Sequence, residues 1–393
     1  MWKIFIVFAQ KETKSEEKVW SYLEELINKN GSNNFQLSSQ TEFHFLVDAP
    51  SGCYQLYWNH EGLFWKQLVT FKKSNGKNKK QEKKKQEKKE KSLLFSGKYI
   101  SRWITETINK NDKENCRYAF IYSGEGFGFY TQNTSKYFIS VKEWSKILDV
   151  FKDEKEKETR SRRKWDLIGF DCCLFSMLES IYQLRHLTRY ILACETYEPF
   201  QGFNSLEMAH AFDASSSILK GGIKNKMSTK EIGQEIISSF IKRVNKDKTA
   251  DPADMVLLKP RATYLNKLRQ HLNQLFSLDN SSLQFPLSFY NAESKNEEEK
   301  FRIDSLDEDE NGYFDLWSVA SSVPCSSNEN PKKQKLEKSE IKKLLCKIII
   351  DYKQSEKLKQ KNGNFLNGIS FCGNPTLDKF IKKEHYFDLD YFH

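Results

Sequence analysis

Two short stretches of this chain combine side chains able to do chemistry with a pattern able to position them. The first is Asp171-Cys172-Cys173, which follows the apolar run Trp165–Phe170 (WDLIGF) and precedes LFSMLESIYQLR, a helix-like segment. The second is the glycine-rich turn Gly124-Glu125-Gly126-Phe127-Gly128, which follows the run Tyr118–Ser123 (YAFIYS). A thiol where a strand passes into a helix suits nucleophilic chemistry. The positive end of the helix dipole lowers the thiol pKa, and backbone N–H groups there can hold a developing oxyanion. The same placement also suits a cysteine that only packs as a small hydrophobe.

The elements that must position these residues are legible as an alternation. Residues 2–9 (WKIFIVFA) form a continuous apolar run, as a strand covered on both faces requires. Ser15–Asn28 reads as a helix with Ser15 as N-cap, Thr41–Asp48 as a second strand, and 53–57 and 63–71 as hairpin-like aromatic segments. A helix is expected near 98–110, and another after Ser140. WDLIGF and Tyr190–Glu195 are further strands, with LFSMLESIYQLR as the helix between them. Strand and helix in alternation argue for a mainly parallel sheet with helices on both faces, whose functional loops gather at the carboxyl ends of the strands. Later segments read as helices at 228–245, about 262–278 and 340–352, with Tyr313–Val319 and a strand at 367–372. Residues 293–312 and 325–340 read as polar loops.

Composition narrows the function classes. The formal charge is +10, but the run Lys72–Lys91 holds 11 Lys and 3 Glu and so supplies +8, leaving +2 for the rest of the chain. A lysine run without interleaved aromatics is expected to be a solvated loop, so nucleic acid is an unlikely partner. The eight Cys form no CxxC pair and no Cys/His grouping with zinc spacing. Free cysteines, a first segment too short for a signal peptide and the lack of a membrane-span pattern lead to the expectation of a cytoplasmic protein. Nothing in the sequence sets the oligomeric state.

Trp165–Ser205, with its Gly-Phe-Asp-Cys-Cys-Leu and Ala-Cys-Glu motifs followed by Glu198-Pro199-Phe200-Gln201-Gly202-Phe203, resembles the catalytic-cysteine region of the clostripain-like, caspase-related cysteine peptidases. The likeness extends to the opening strand and helix, Val47-Asp48, Asp254 through Leu268, Tyr313–Trp317 and Asn367–Ser370. It implies an α/β fold: a caspase-like mainly parallel sheet flanked by helices, with a smaller C-terminal α/β or helical region. Residues 1–215 would form the peptidase core, with a lysine-rich disordered insertion at about 72–92 and a charged linker at about 152–164. Residues 216–393 would complete the clostripain-like fold. The resemblance makes Cys173 the nucleophile, Gly126 and the cysteine N–H the oxyanion site, and Asp171 and Gln201 the substrate-binding pair. Gln201 stands where the family has an acid associated with selecting a basic residue. Calcium enters through the resemblance alone, and no other cofactor is expected.

The family's histidine strand aligns without gaps to Tyr118–Phe129, and Glu125 stands at the histidine position. Histidine can both take the thiol proton and protonate the departing amine. The reference pKa of glutamate lies about 4 units below that of cysteine, so thiol-to-carboxylate transfer is uphill by roughly 5–6 kcal/mol in a water-like setting. An ionised Glu also opposes a neighbouring thiolate. Of the seven histidines, His186 is expected on the helix after Cys173 and His210 in a loop, and only His210 is a candidate substitute base. The expected function is a catalytically impaired homologue that binds a peptide or protein in its cleft. The alternative is an active endopeptidase using Cys173 with an unrecognised base. Activation cuts of related caspase-like enzymes would correspond to Lys136 or Arg160–Lys164 here, residues that a soluble loop explains equally well.

Overall fold

The structure, a computed structural model, describes residues 1–9, 37–49, 52–70, 96–108, 116–126, 128, 130–132, 138–151, 163–196, 202–214, 227–277, 313–323, 331–362 and 368–372. The expected helix at Ser15–Asn28, the lysine run, Lys136, most of the charged linker and Gln201 lie outside these residues.

A parallel core is formed by β1 (Trp2–Ala9), β2 (Thr41–Ala49), β5 (Arg117–Gly126), β8 (Trp165–Asp171) and β9 (Thr188–Ala193). All eight residues of β1 are buried, as its unbroken apolar run requires of a central strand. The hairpin β3 (Gly52–Asn59) and β4 (Gly62–Thr70) extends one side by antiparallel pairing. On the other side β10 (Asp254–Leu258) pairs antiparallel with β9, and β12 (Ile349–Gln354) with β10. The resulting order is β12-β10-β9-β8-β5-β1-β2-β3-β4, and the short strands β6 (Tyr130–Gln132) and β7 (Phe138–Ser140) fold back from the end of β5. A separate two-stranded pair joins β11 (Tyr313–Asp315) to β13 (Ser370–Cys372).

Period-two alternation sends the strand side chains to two cores. One face buries Phe5, Phe120, Tyr122 and Phe170 beneath α1 (Gly97–Thr107), α2 (Val141–Ile147), α3 (Leu178–Leu184), α6 (Ala262–Ser277) and α8 (Pro331–Ile348). The other buries Ile4, Ile6, Phe43 and Ile121 beneath α4 (Ser205–Ala214) and α5 (Thr229–Lys246). Two helices begin at capping boxes written in the sequence. Ser140 and Glu143 reciprocate at α2, and Ser228 and Glu231 at α5. The chain between β11 and α8 contains α7 (Leu316–Ser322), capped by Asp315, and α9 (Glu356–Asn362) follows β12.

Three local expectations need correction. Residues 331–340 are helical, not a loop: Pro331 occupies the first helical position, and Ile341, Leu344, Leu345 and Ile348 bury one side of α8. The expected helix at 340–352 ends at Ile348. The β-branched residues that follow pair with β10 at the sheet edge instead. The helix after the cysteines begins only at Leu178, because Ser176 and Met177 are drawn into contacts with segments far along the chain.

Candidate active site

Parallel pairing of β5 with β8 brings Ser123 opposite Asp171, so the glycine turn and the cysteine turn leave the sheet side by side. The backbones then close on each other. A methyl group placed on Gly126 would lie 2.6 Å from Cys172 Sγ and 2.8 Å from the Cys173 carbonyl oxygen. Only a residue without Cβ lets the end of β5 approach the cysteines this closely. Gly126→Ala is therefore expected to destabilise the fold by about 1–3 kcal/mol, since the nearest atoms include backbone. Chemical denaturation of wild type and variant checks this.

Cys172 is buried in the core and Cys173 is partly exposed. The next residue, Leu174, takes φ +58°, a left-handed conformation that a branched side chain adopts only under constraint. That constraint is visible: Leu174 N–H donates to the Thr196 carbonyl at 2.9 Å and Ser176 N–H to the Cys194 carbonyl at 2.9 Å. Ser176 Oγ donates to the Gly368 carbonyl, and Ser370 N–H donates to the Ser176 carbonyl at 3.0 Å. Cys173 therefore sits on a pinned turn, with no helix beginning directly after it. The helix that does follow steadies the neighbouring loop, because Ser180 Oγ of α3 donates to the Gly128 carbonyl at 2.9 Å.

Glu125 is exposed at the end of β5, opposite Gln132 of β6. Burial first, then Cys172, then Glu125 and Asp48 hold the Tyr122 pKa well above its ordinary value. Asp171 is buried, and its Oδ1 accepts the Phe203 N–H at 2.8 Å. Gly202, at φ +48°, lies so close over the same carboxylate that a methyl group there would be 2.7 Å from Oδ2. Arg243 holds the other side of this segment through the Gly202 carbonyl and a 3.2 Å pair with Glu207. Asp171 thus fixes the segment that follows Gln201, a residue outside those described.

The described histidines fall elsewhere. His186 lies beyond the end of α3, in the turn that leads into β9 at the amino ends of the strands, and not on the helix as expected. His210 is exposed on α4, not in a loop. His44 is half-buried within β2 and stacks on Tyr57, while His271 pairs with Glu337 at 2.6 Å.

Beneath the cysteine turn lies a set of acids to which the sequence reading assigned no role: Glu195, Asp254 and Asp315, all buried. Asp254 Oδ1 accepts from the Glu195 and Thr196 N–H groups at 3.1 and 3.2 Å and from Thr196 Oγ1 at 3.0 Å, and Oδ2 accepts from the Tyr352 hydroxyl at 3.1 Å. Glu195 Oε2 accepts the Gly368 N–H at 2.7 Å. Asp315 Oδ1 accepts the Ser318 N–H at 2.6 Å and caps α7. Burial pushes the Asp254 pKa up to about 6. Burial and the Asp315 and Asp254 charges push Glu195 well above the usual carboxylate range. Acids inside the apolar runs ILACE, ADMVLL and YFDLW were the available signal. Among the described residues no group of three or more His, Cys, Asp or Glu could hold a metal ion.

The family model for the clostripain family matches residues 111–387, which span both the glycine turn and the cysteine turn. The chain belongs to the clostripain family. Solved clostripain-type structures share its fold over nearly full length. An inactive zymogen C11 protease from Parabacteroides distasonis is 13% identical, with a TM-score of 0.64 over 99% of this chain and 97% of that one. A secreted C11 cysteine protease from Bacteroides thetaiotaomicron, solved with an irreversible peptide inhibitor, is 14% identical, with a TM-score of 0.64 over 99% and 98%. No curated protein matches the sequence. The resemblance read from the cysteine and glycine motifs, and the caspase-like mainly parallel sheet it implied, are thus both correct for this clostripain-family chain. None of its described helices is long and apolar enough to cross a membrane.

Proposed function

We propose that this clostripain-family chain binds a peptide or protein segment over the cysteine turn at the carboxyl ends of β5 and β8, and that its peptide-bond hydrolysis is impaired. The observation that carries this reading is the identity of residue 125. The backbone of Gly126 abuts Cys172 and Cys173, so residue 125 stands at the rim of the cysteine turn, and it is an exposed glutamate. An exposed carboxylate is ionised at neutral pH, opposes a nearby thiolate and has no proton to give a leaving amine. The loss of positioned acid–base catalysis corresponds to about 10²–10⁴-fold in rate. Peptide binding is supported by the close approach of Gly126 to the cysteine turn and by the peptide inhibitor bound in the B. thetaiotaomicron relative. Asp171, which organises Gly202 and Phe203, would shape the pocket together with Gln201.

A second reading, a divergent endopeptidase with Cys173 as nucleophile, draws on one specific observation. The Gly126–Cys173 approach that an oxyanion site needs is retained. Its base would have to come from outside the usual strand. The test compares wild type with Cys173→Ala on fluorogenic Arg and Lys peptide amides, with thermal shift by the same peptides as uncleavable analogues. The expected result is a peptide-induced shift in both proteins and no difference in turnover between them. Turnover by wild type that Cys173→Ala abolishes would replace the first reading with the second.

A further inference from the structure

At the amino ends of the parallel strands, across the sheet from the cysteine turn, lies a cavity of about 450 Å³. Its wall carries Arg117 at the start of β5, Lys164 and Asp166 around the start of β8, Arg189 on β9, and Lys259 and Arg261 between β10 and α6. Among the described residues, five cations face one carboxylate. That ratio is out of keeping with the rest of the molecule, where the charge outside the lysine run sums to only +2.

Three of the five cations, Arg117, Lys259 and Arg261, are held by a carbonyl or by rings. Arg117 Nη1 donates to the Met227 carbonyl at 3.1 Å and its guanidinium lies 5.5 Å from the Trp2 ring. Lys259 Nζ lies 5.6 Å from the Tyr190 ring, and the Arg261 guanidinium 5.5 Å from that of Tyr264. Such contacts orient a cation and leave its charge in place. Asp166 can offset only one of these charges. Its Oδ2 accepts the Tyr118 N–H at 3.1 Å, its Oδ1 is 3.7 Å from Arg189 Nε, and burial raises its pKa against the pull of Arg189, Arg117 and Arg163. The sixteen-residue helix α6 also starts at this wall with no acid in its first turn, which adds partial positive charge. The first turn of α5, by contrast, is already capped by Glu231.

We propose that this cavity is a binding site for a small multivalent phosphate, a pyrophosphate or triphosphate group in free or esterified form. A single phosphate carries a charge of about −1.5 to −2 and would leave most of the site uncompensated. A di- or triphosphate matches the surplus, and its oxygens suit the fork of an arginine. The volume lies within the range of small-ligand pockets, roughly 300–1,000 Å³. The site is independent of the peptide-binding reading, because no residue of the cysteine turn contributes to it.

Calorimetric titration of the full chain with sodium tripolyphosphate, pyrophosphate and orthophosphate, at low and high salt, tests this. Tripolyphosphate is expected to bind saturably, more weakly at high salt, and about tenfold or more tighter than orthophosphate. Arg189 and Arg261 are both exposed. The double variant Arg189→Glu/Arg261→Glu should weaken binding by about tenfold or more. Lys242→Glu, on α5 outside the cavity, should leave it within about twofold. A double Arg→Ala variant repeats the comparison should charge reversal disturb the fold. Absence of saturable tripolyphosphate binding at millimolar concentration would overturn the proposal. So would unchanged binding by both double variants, or orthophosphate binding as tightly as tripolyphosphate.

Discussion

Glu125→His is expected to gain hydrolysis of Arg or Lys peptide amides by about 10²-fold or more over wild type, with the gain abolished by Cys173→Ala in the same background. The expectation follows from what the surrounding backbone already supplies. Gly126 is in place against the cysteine turn, and Leu174 and Ser176 hold that turn through Thr196 and Cys194. An imidazole at position 125 would add a group whose pKa lies near 6.5, able to receive the thiol proton and return it to the amine. The activity should rise with pH through the titration of that imidazole, a signature that a merely structural rescue would not show. Glu125→Gln separates the two faults of the glutamate. It removes the opposing charge and supplies no base, so Cys173 should react faster with a thiol-directed alkylating agent while peptide hydrolysis stays at the wild-type level. A folded Glu125→His protein with no Cys173-dependent turnover would place the defect elsewhere, with Gln201, proposed above to shape the pocket, as the next suspect.

The second large effect concerns stability and pH. Asp254 has a folded-state pKa of about 6 against an ordinary value of 3.8, and Glu195 is held well above its ordinary value by burial and by its neighbouring acids. A carboxyl group with a raised pKa binds its proton more tightly in the folded state. Its stabilising contribution is complete below about pH 4 and is lost as pH rises through the folded pKa. For Asp254 that loss is on the order of 2 kcal/mol between pH 4 and pH 7. Glu195→Gln mimics the protonated acid, because the amide carbonyl can still accept from Gly368 N–H and the amide N–H can face Asp315. The variant should therefore gain on wild type as pH rises above about 4.5, by about 1.4 kcal/mol for each unit by which Glu195 is raised. Thermal unfolding of both proteins across pH 4–8 reads the difference directly. Parallel curves would show that Glu195 does not hold its proton in the fold. Since Glu195, Asp254 and Asp315 tie the cysteine turn to residues 368–370 and to α7, the same measurement reports on the scaffold of the site.

Several features were set by local sequence alone. The buried run of β1, the capping boxes of α2 and α5 and the sites of the two functional turns depend on neighbours a few residues apart, and their patterns survive in one dimension. The motif around Cys173 and the glutamate at position 125 were likewise legible, because the sequence marks the ends of β5 and β8 with Gly and Asp. The tertiary structure decided what depends on distant partners. Helix α3 starts late because Ser176 bonds to Gly368 and Met177 bridges to Ser370, both more than 190 residues away along the chain. Ile349 leaves its helix for a strand because the edge of β10 is open to it. The basic cavity draws Arg117, Lys164, Arg189 and Lys259 from four separate segments, each unremarkable in composition, and the acids under the cysteine turn come from the ends of three strands far apart in the chain. Such assemblies leave no period in the sequence, since the groups they join are brought together only when the sheet and its helices close.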